Sequence, residues 1–142
     1  MTVCNRTIER AMTLCKDLRS TLPDAPGSID WAEWDARSSI EAEAWVNCTA
    51  MGMAGGGAET ESPLDMERIA AGDAVILDTV YAPRRTPLLA SASGHPGIRT
   101  IDGVRVFVAQ AIAQSGLWMG PQCSQASLES LFTRVSEEIL AT

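Results

Sequence analysis

The run Ala74-Val75-Ile76-Leu77, bounded by Gly72-Asp73 and by Asp78, constrains the chain more than any other feature. Four apolar residues without polar alternation suit a strand covered on both faces, the usual setting in a parallel sheet. Trp45-Val46-Asn47-Cys48 reads as a second short buried strand, and Val3-Cys4 as the last residues of a third. Parallel strands need long crossovers, usually helices. The segments between these runs carry helical spacing. Ile8, Ala11, Met12, Cys15 and Leu18 mark one amphipathic helix, with Thr7 as its N-cap and Glu9 in the first turn, where a carboxylate suits the helix dipole. Pro23, Pro26 and Gly27 end that unit, and Ser28 to Glu43 reads as a short strand near Ile29 followed by a helical turn or two. Thr86 caps and Pro87 opens another helix, which stops near Gly94 before Pro96. Val104, Phe107, Val108, Ala111 and Ile112 mark a further helix, and Leu128, Leu131, Phe132, Val135 and Ile139 a last one. Strands alternating with helices predict an α/β domain with a mainly parallel sheet.

Composition bounds the partners. A chain of 142 residues, 46% apolar and 20% charged, fits one domain with a core. A net charge of −7 disfavours nucleic acid and anionic membranes, though not a nucleotide held in a local site. No apolar run approaches the ~20 residues of a membrane helix, and MTVCNRTIERAM has no segment of signal-peptide type, so the expected compartment is the cytoplasm. Cys4, Cys15, Cys48 and Cys123 form no CxxC pair, and with the single histidine, His95, they give no metal-ligand spacing. They read as reduced thiols packed as small apolar residues. Asn5-Arg6-Thr7 and Asn47-Cys48-Thr49 match the glycosylation sequon, and both are read as accidental.

Four pieces could carry chemistry. The first is Asn5-Arg6-Thr7-Ile8-Glu9-Arg10 after the strand end Val3-Cys4. In a dinucleotide fold the end of the second strand meets the adenine ribose, and an acidic residue there favours NAD. Asn5 and Arg6 stand there instead. A guanidinium offers a charge-assisted fork to a 2′-phosphate and a planar face to adenine, and Thr7 adds a hydroxyl and the first amides of a helix. Taken alone, an arginine at a helix start is more often simply solvated. The second piece is Asn47-Cys48-Thr49-Ala50-Met51-Gly52-Met53, at the carboxyl end of a strand, where ligands of open α/β sheets collect. Gly55-Gly56-Gly57 lacks a following Lys-Ser/Thr and is no P-loop; a floppy surface loop fits it better. The third is Leu77-Asp78-Thr79-Val80-Tyr81-Ala82-Pro83 with Thr86-Pro87-Leu88-Leu89. The fourth is Thr100-Ile101-Asp102-Gly103, with Gln110 on the helix that follows. Each of these, by itself, is more often an ordinary surface or half-buried segment than a ligand contact.

In this order and spacing the pieces resemble the nucleotide domain of the shikimate dehydrogenase family. That domain runs N-R-T, N-x-T-x-x-G-M, D-x-V-Y-x-P-x-x-T-x-L-L, D-G, a helix carrying Gln, and L-W-x-G. Every one is present from about Val3 to Gly120, ending with Leu117-Trp118-Met119-Gly120. Asp78-Thr79-Val80-Tyr81 is also similar to the dehydrogenase part of bifunctional dehydroquinate dehydratase–shikimate dehydrogenases.

The resemblance implies a partial, Rossmann-like NADP-binding domain over residues 1–120, with flanking helices and a mainly parallel sheet, and a C-terminal helix over 121–142 packed on or beside it. It also implies NADPH-linked, reversible reduction of 3-dehydroshikimate to shikimate. By motif position, Asn5, Arg6, Thr7 and Arg10 hold the adenosine 2′-phosphate end. Thr49 lies along the cofactor, Thr79 and Gly103 lie near the nicotinamide, and Tyr81 and Gln110 touch the substrate. The family's catalytic lysine–aspartate pair belongs to a preceding substrate-binding domain that is missing here. The single lysine, Lys16, sits mid-helix and cannot stand in for it. The first strand of the nucleotide fold and its Gly-rich turn are missing too, as in a truncated gene product or an incomplete gene model. Such a loss leaves strands 2 and 3 separated from strands 4 and 5. Arg105, Val106 and Ser115 depart from the family's usual residues, which leaves shikimate and quinate both open as substrates. A non-catalytic nucleotide-binding module, a split-enzyme partner and a decayed remnant remain as alternatives.

Overall fold

The computed structural model describes residues 1–69, 73–120 and 124–140, without the side chains of 125, 136 and 138–140. Cys123 and the Ile139 side chain therefore lie outside the described residues. The elements run β1 (Thr2–Cys4), α1 (Ile8–Thr21), β2 (Asp30–Ala32), a 3-10 helix (Trp34–Ser39), β3 (Ala44–Asn47), β4 (Ala74–Asp78), α2 (Pro87–Ala92), β5 (Ile98–Ile101), α3 (Gly103–Met119) and α4 (Gln125–Leu140). Every strand pairing is parallel, as the unalternated apolar runs require. The strands form two sheets, β1-β2 and β3-β4-β5.

The chain divides into two compact units, Met1–Glu41 with Leu64–Ala70, and Ala42–Pro63 with Ala71–Thr142. In the first, β1, α1 and β2 make a strand-helix-strand unit. Ala11 and Cys15 are the fully buried side of α1, one turn apart. The Cys15 thiol donates to the Asp30 carbonyl at 3.2 Å, and Arg19 pairs with the Asp30 carboxylate at 3.0 Å, so two turns of the helix are tied to β2. The Ser28 side chain and the Arg19 guanidinium together hold the Asp30 carboxyl below the usual carboxylate range. Buried Ser38 accepts from the Asp65 amide at 2.9 Å, which joins the segment carrying Met66 and Ile69 to this unit.

In the second unit β4 is central. Ile76 is fully buried, and α2 packs on β4 and β5 through buried Leu88, Leu89 and Ala92. The start of α2 is built as its sequence predicts. Thr86 is the N-cap, its hydroxyl accepting from the Leu89 amide, and Pro87 occupies the first turn. A cap of this kind stabilises a helix by about 1 kcal/mol. Thr7 also stands at an N-cap position, but its hydroxyl caps nothing; Asn5 Oδ1 takes the Thr7 amide instead, at 2.9 Å.

Expectations of burial are corrected at three elements. Val46 in β3 is 59% exposed and Cys48 is exposed, because β3 pairs only with β4 and, among the described residues, nothing covers its Val46 side. The apolar positions of α3 are no better covered. Phe107 is exposed, Val104, Val108, Ala111 and Ile112 are half-buried, and only Gly103 is fully buried. The α3 sequence is apolar nearly all round, whereas its main packing partner is the single helix α4. Leu128 of α4 is buried, while Leu131 and Val135, expected on the same face, are exposed.

Gly103 is the tightest backbone approach in the fold. A Cβ there would lie 2.3 Å from the Val80 carbonyl oxygen and 2.7 Å from that of Thr79, so α3 can begin against this turn only with a glycine. Gly103→Ala should lower stability by about 1–3 kcal/mol, the usual cost of overpacking. Gly116→Ala, on the same helix with nothing within 4 Å of the added carbon, should raise it by about 0.5–1 kcal/mol. Urea denaturation of the two variants beside the wild type checks the pair. Equal, small effects would remove the steric role assigned to Gly103.

Candidate functional site

The carboxyl ends of the strands carry the residues singled out in the sequence, in two groups that belong to different compact units. At the end of β1, Asn5 turns the chain by accepting the Thr7 amide, and α1 begins at Ile8. Arg6, Thr7 and Arg10 are exposed around this turn, and neither arginine has an ion-pair partner among the described residues. Glu9 in the same turn is exposed as well. Two solvated guanidinium groups beside the first turn of a 14-residue helix are a donor set suited to a phosphate. No carboxylate stands at position 5, where an acidic residue would repel it.

Nearby in this unit, the Arg37 guanidinium lies 4.0 Å over the Trp34 ring and donates to the Trp34 carbonyl. Burial pushes the Cys4 thiol up, and the Arg37 charge only partly offsets this. Cys4 is therefore a neutral packed thiol at neutral pH, not a reactive thiolate.

In the second unit the loops after β3 and β4 are joined by buried polar groups. Asn47 Nδ2 donates to Asp78 Oδ1 at 2.9 Å, and the Val80 amide donates to the same oxygen at 3.1 Å. The Thr86 hydroxyl donates to Asp78 Oδ2 at 2.6 Å. Asn47 Oδ1 in turn accepts from both the amide and the hydroxyl of Thr49, at 2.9 and 2.8 Å. Thr79 donates its hydroxyl and its amide to the Asn47 carbonyl, at 2.8 and 3.0 Å. The hydroxyl protons of Thr49 and Thr79 are thus committed inside the protein. The Thr49 hydroxyl oxygen also accepts the Met51 amide at 3.2 Å, so toward a ligand Thr49 offers mainly its methyl group, and Thr79 its oxygen lone pairs and methyl group. Asn47 of the Asn47-Cys48-Thr49 sequon is buried and bonded on both its amide atoms.

Gly52, at φ 81°, brings the loop after β3 against the start of α2: a Cβ there would be 3.1 Å from Pro87 Cδ. The Ala54 amide donates to the Ala82 carbonyl at 2.9 Å, a second link between the loops after β3 and β4. Gly103 lies directly on Thr79 and Val80. Asp102 caps α3 by accepting the Arg105 amide and pairs with Arg84 at 2.9 Å. Thr49, Thr79 and Gly103 are therefore brought together by one framework. Tyr81 is exposed with its ring 6.0 Å from that of Phe107, and Gln110 is exposed one turn farther along α3. Neither polar group has a hydrogen-bond partner among the described residues, so both are available to a ligand. Asn47, Asp78 and Thr86 were not foreseen as site residues. The available signal was an acid and an amide ending apolar strands, where an unpaired polar group would be costly.

No cluster of His, Cys, Asp and Glu suited to a metal occurs among the described residues. No helix of the described residues is long and apolar enough to cross a membrane.

No family model matches the chain. Among curated proteins it is 36% identical over 132 residues to the NADP(+) shikimate dehydrogenase of Gluconobacter oxydans, covering 91% of this chain and 44% of that one. It is 36% identical over 122 residues to that of Acidiphilium cryptum, covering 84% and 39%. The chain thus spans less than half the length of these relatives. Among solved structures, quinate dehydrogenase from Corynebacterium glutamicum in complex with NAD matches with a TM-score of 0.77 at 23% identity, over 94% of this chain and 45% of that one. Shikimate 5-dehydrogenase from Thermus thermophilus, in complex with NADP(H) and shikimate, matches with a TM-score of 0.69 at 24% identity, over the same shares. In sequence and in its Rossmann-like α/β fold, nearly the whole of this chain is related to a part of the NADP(+)-dependent shikimate dehydrogenases.

Proposed function

We propose that the chain is the NADP-binding portion of a shikimate dehydrogenase-type oxidoreductase, which interconverts 3-dehydroshikimate and shikimate. The observation that carries this reading is the end of β1. Arg6 and Arg10 stand there without ionic partners among the described residues, beside Asn5 in place of a ribose-binding carboxylate. In this reading Arg6 grips the 2′-phosphate, Arg10 adds charge, and Asn5 and Thr7 shape the turn that presents the helix amides. The curated relatives are named for NADP(+), which favours the same cofactor here.

Thr49 forms a wall along the cofactor. Thr79, backed by Gly103, limits how deep the nicotinamide can sit, since the α3 backbone occupies the space beneath it. When bound, NADPH supplies the hydride; the residues of this chain bind and orient it. Tyr81 and Gln110, with unused polar groups, contact the hydroxylated substrate. Proton transfer needs a group that this reading does not assign to any of the 142 residues. Lys16 is exposed within α1 and is the only lysine. We assign that group to a separate substrate-binding domain, as the family resemblance implies.

Two outcomes follow. At fixed ionic strength the chain should bind NADP(+) more tightly than NAD(+), and Arg6→Ala should reduce that preference about ten- to a hundredfold, as loss of a charged hydrogen bond does. Calorimetric titration of both nucleotides checks this, and an unchanged preference would remove the phosphate role of Arg6. The 142 residues alone should show no shikimate-dependent reduction of NADP(+) above the uncatalysed background. Steady turnover by the purified chain would overturn the assignment of proton transfer to a separate domain.

A further inference from the structure

Asp78 is fully buried, its carboxylate meets three donors, and none of those donors belongs to a residue assigned above to cofactor or substrate. The three donors come from three different places. Asn47 ends β3 and carries the loop of Thr49; Val80 follows Thr79 and supports Gly103; Thr86 caps α2. One oxygen takes Asn47 and Val80, and the other takes Thr86. An isolated buried carboxylate is costly, so each of these bonds is held by the penalty for leaving it unmade.

From this geometry we propose that Asp78 is the positioning residue of the dinucleotide site. It acts through Asn47 to set Thr49 and through the Val80 amide to set Thr79 and the seat of Gly103, so that the loops after β3 and β4 present their contacts in one fixed register. The proposal rests on the cofactor reading above for the identity of the ligand, but not for the network itself. The bonds of the Asp78 carboxylate go to Asn47, Val80 and Thr86 and to no residue of the turn after β1.

The experiment uses the whole chain with two probes, NADP(+) and adenosine 2′,5′-bisphosphate, which carries the phosphate end without the nicotinamide. Asp78→Ala should weaken NADP(+) about tenfold and leave the bisphosphate unchanged. Asp78→Asn keeps one oxygen for Asn47 and Val80 and can donate to the Thr86 hydroxyl, so it should restore most of the loss. Equal weakening of both probes would mean general destabilisation and would overturn the proposal, as would wild-type binding of both.

Amide hydrogen exchange decides the network without any ligand. In Asp78→Ala the Thr49 and Val80 amides should exchange at least tenfold faster relative to the β4–β5 ladder. If that variant does not fold, Asn47→Ala serves, because it cuts Thr49 from Asp78 while sparing the bonds to Val80 and Thr86. It should expose the Thr49 amide and leave that of Val80 protected. Unchanged protection at Thr49 would overturn the proposal. A wild-type chain that binds neither probe overturns the cofactor reading instead, and exchange then judges Asp78 alone.

Discussion

A buried carboxylate with no cation beside it must be surrounded by donors, and the second unit of this chain is arranged around meeting that demand at Asp78. The apolar run of β4 drives the strand into the core, and its last residue is an acid. Burial of that acid calls in the end of β3, the turn after β4 and the cap of α2. Once they converge, the loop of Thr49 and the turn of Thr79 have little freedom left. Gly103 then completes the arrangement, because only a residue without a side chain lets α3 start against that turn. Packing, polar satisfaction and the shape of the loops after β3 and β4 are consequences of one requirement.

The first unit follows a different logic. The end proposed to hold the phosphate is solvated: Arg6, Thr7 and Arg10 are exposed around a turn that Asn5 closes. Such groups contribute little to folding and are free to be chosen for what they bind. The structural ties of this unit lie along α1 and β2 instead, in the Cys15 thiol and the Arg19–Asp30 pair. β1 and β3 each pair on one side only among the described residues, which leaves a row of backbone groups on each without a strand partner.

Local signals were legible in the sequence, and long-range ones were not. Thr86-Pro87 announced a helix start because a cap and a proline at the first turn act within four residues, and the structure has both. The run Ala74 to Leu77 announced β4 because continuous apolarity is itself the signal. Ile98–Ile101 carried an arginine and a threonine and gave no clear signal, yet it forms β5 by pairing with β4. Val46 and Phe107 were expected inside because apolar pattern records what a face suits, not what covers it. Asn47 and Asp78 are 31 residues apart, and nothing in either segment specifies the other. Their partnership becomes visible only when two parallel strands bring both ends to one edge. Motif order grouped Thr49, Thr79 and Gly103, and the structure joins these three in one framework, which no local rule indicates.

The proposed function requires that the polar turn after β1, in one unit, and the locked loops after β3 and β4, in the other, each respond to NADP(+). Nuclear magnetic resonance of the isotope-labelled chain, titrated with NADP(+), tests this most directly. The account predicts that the amides of residues 5–10 and those of Thr49, Thr79 and Gly103 shift together, with one dissociation constant. Shifts confined to one of the two groups, or absent from both, would contradict it.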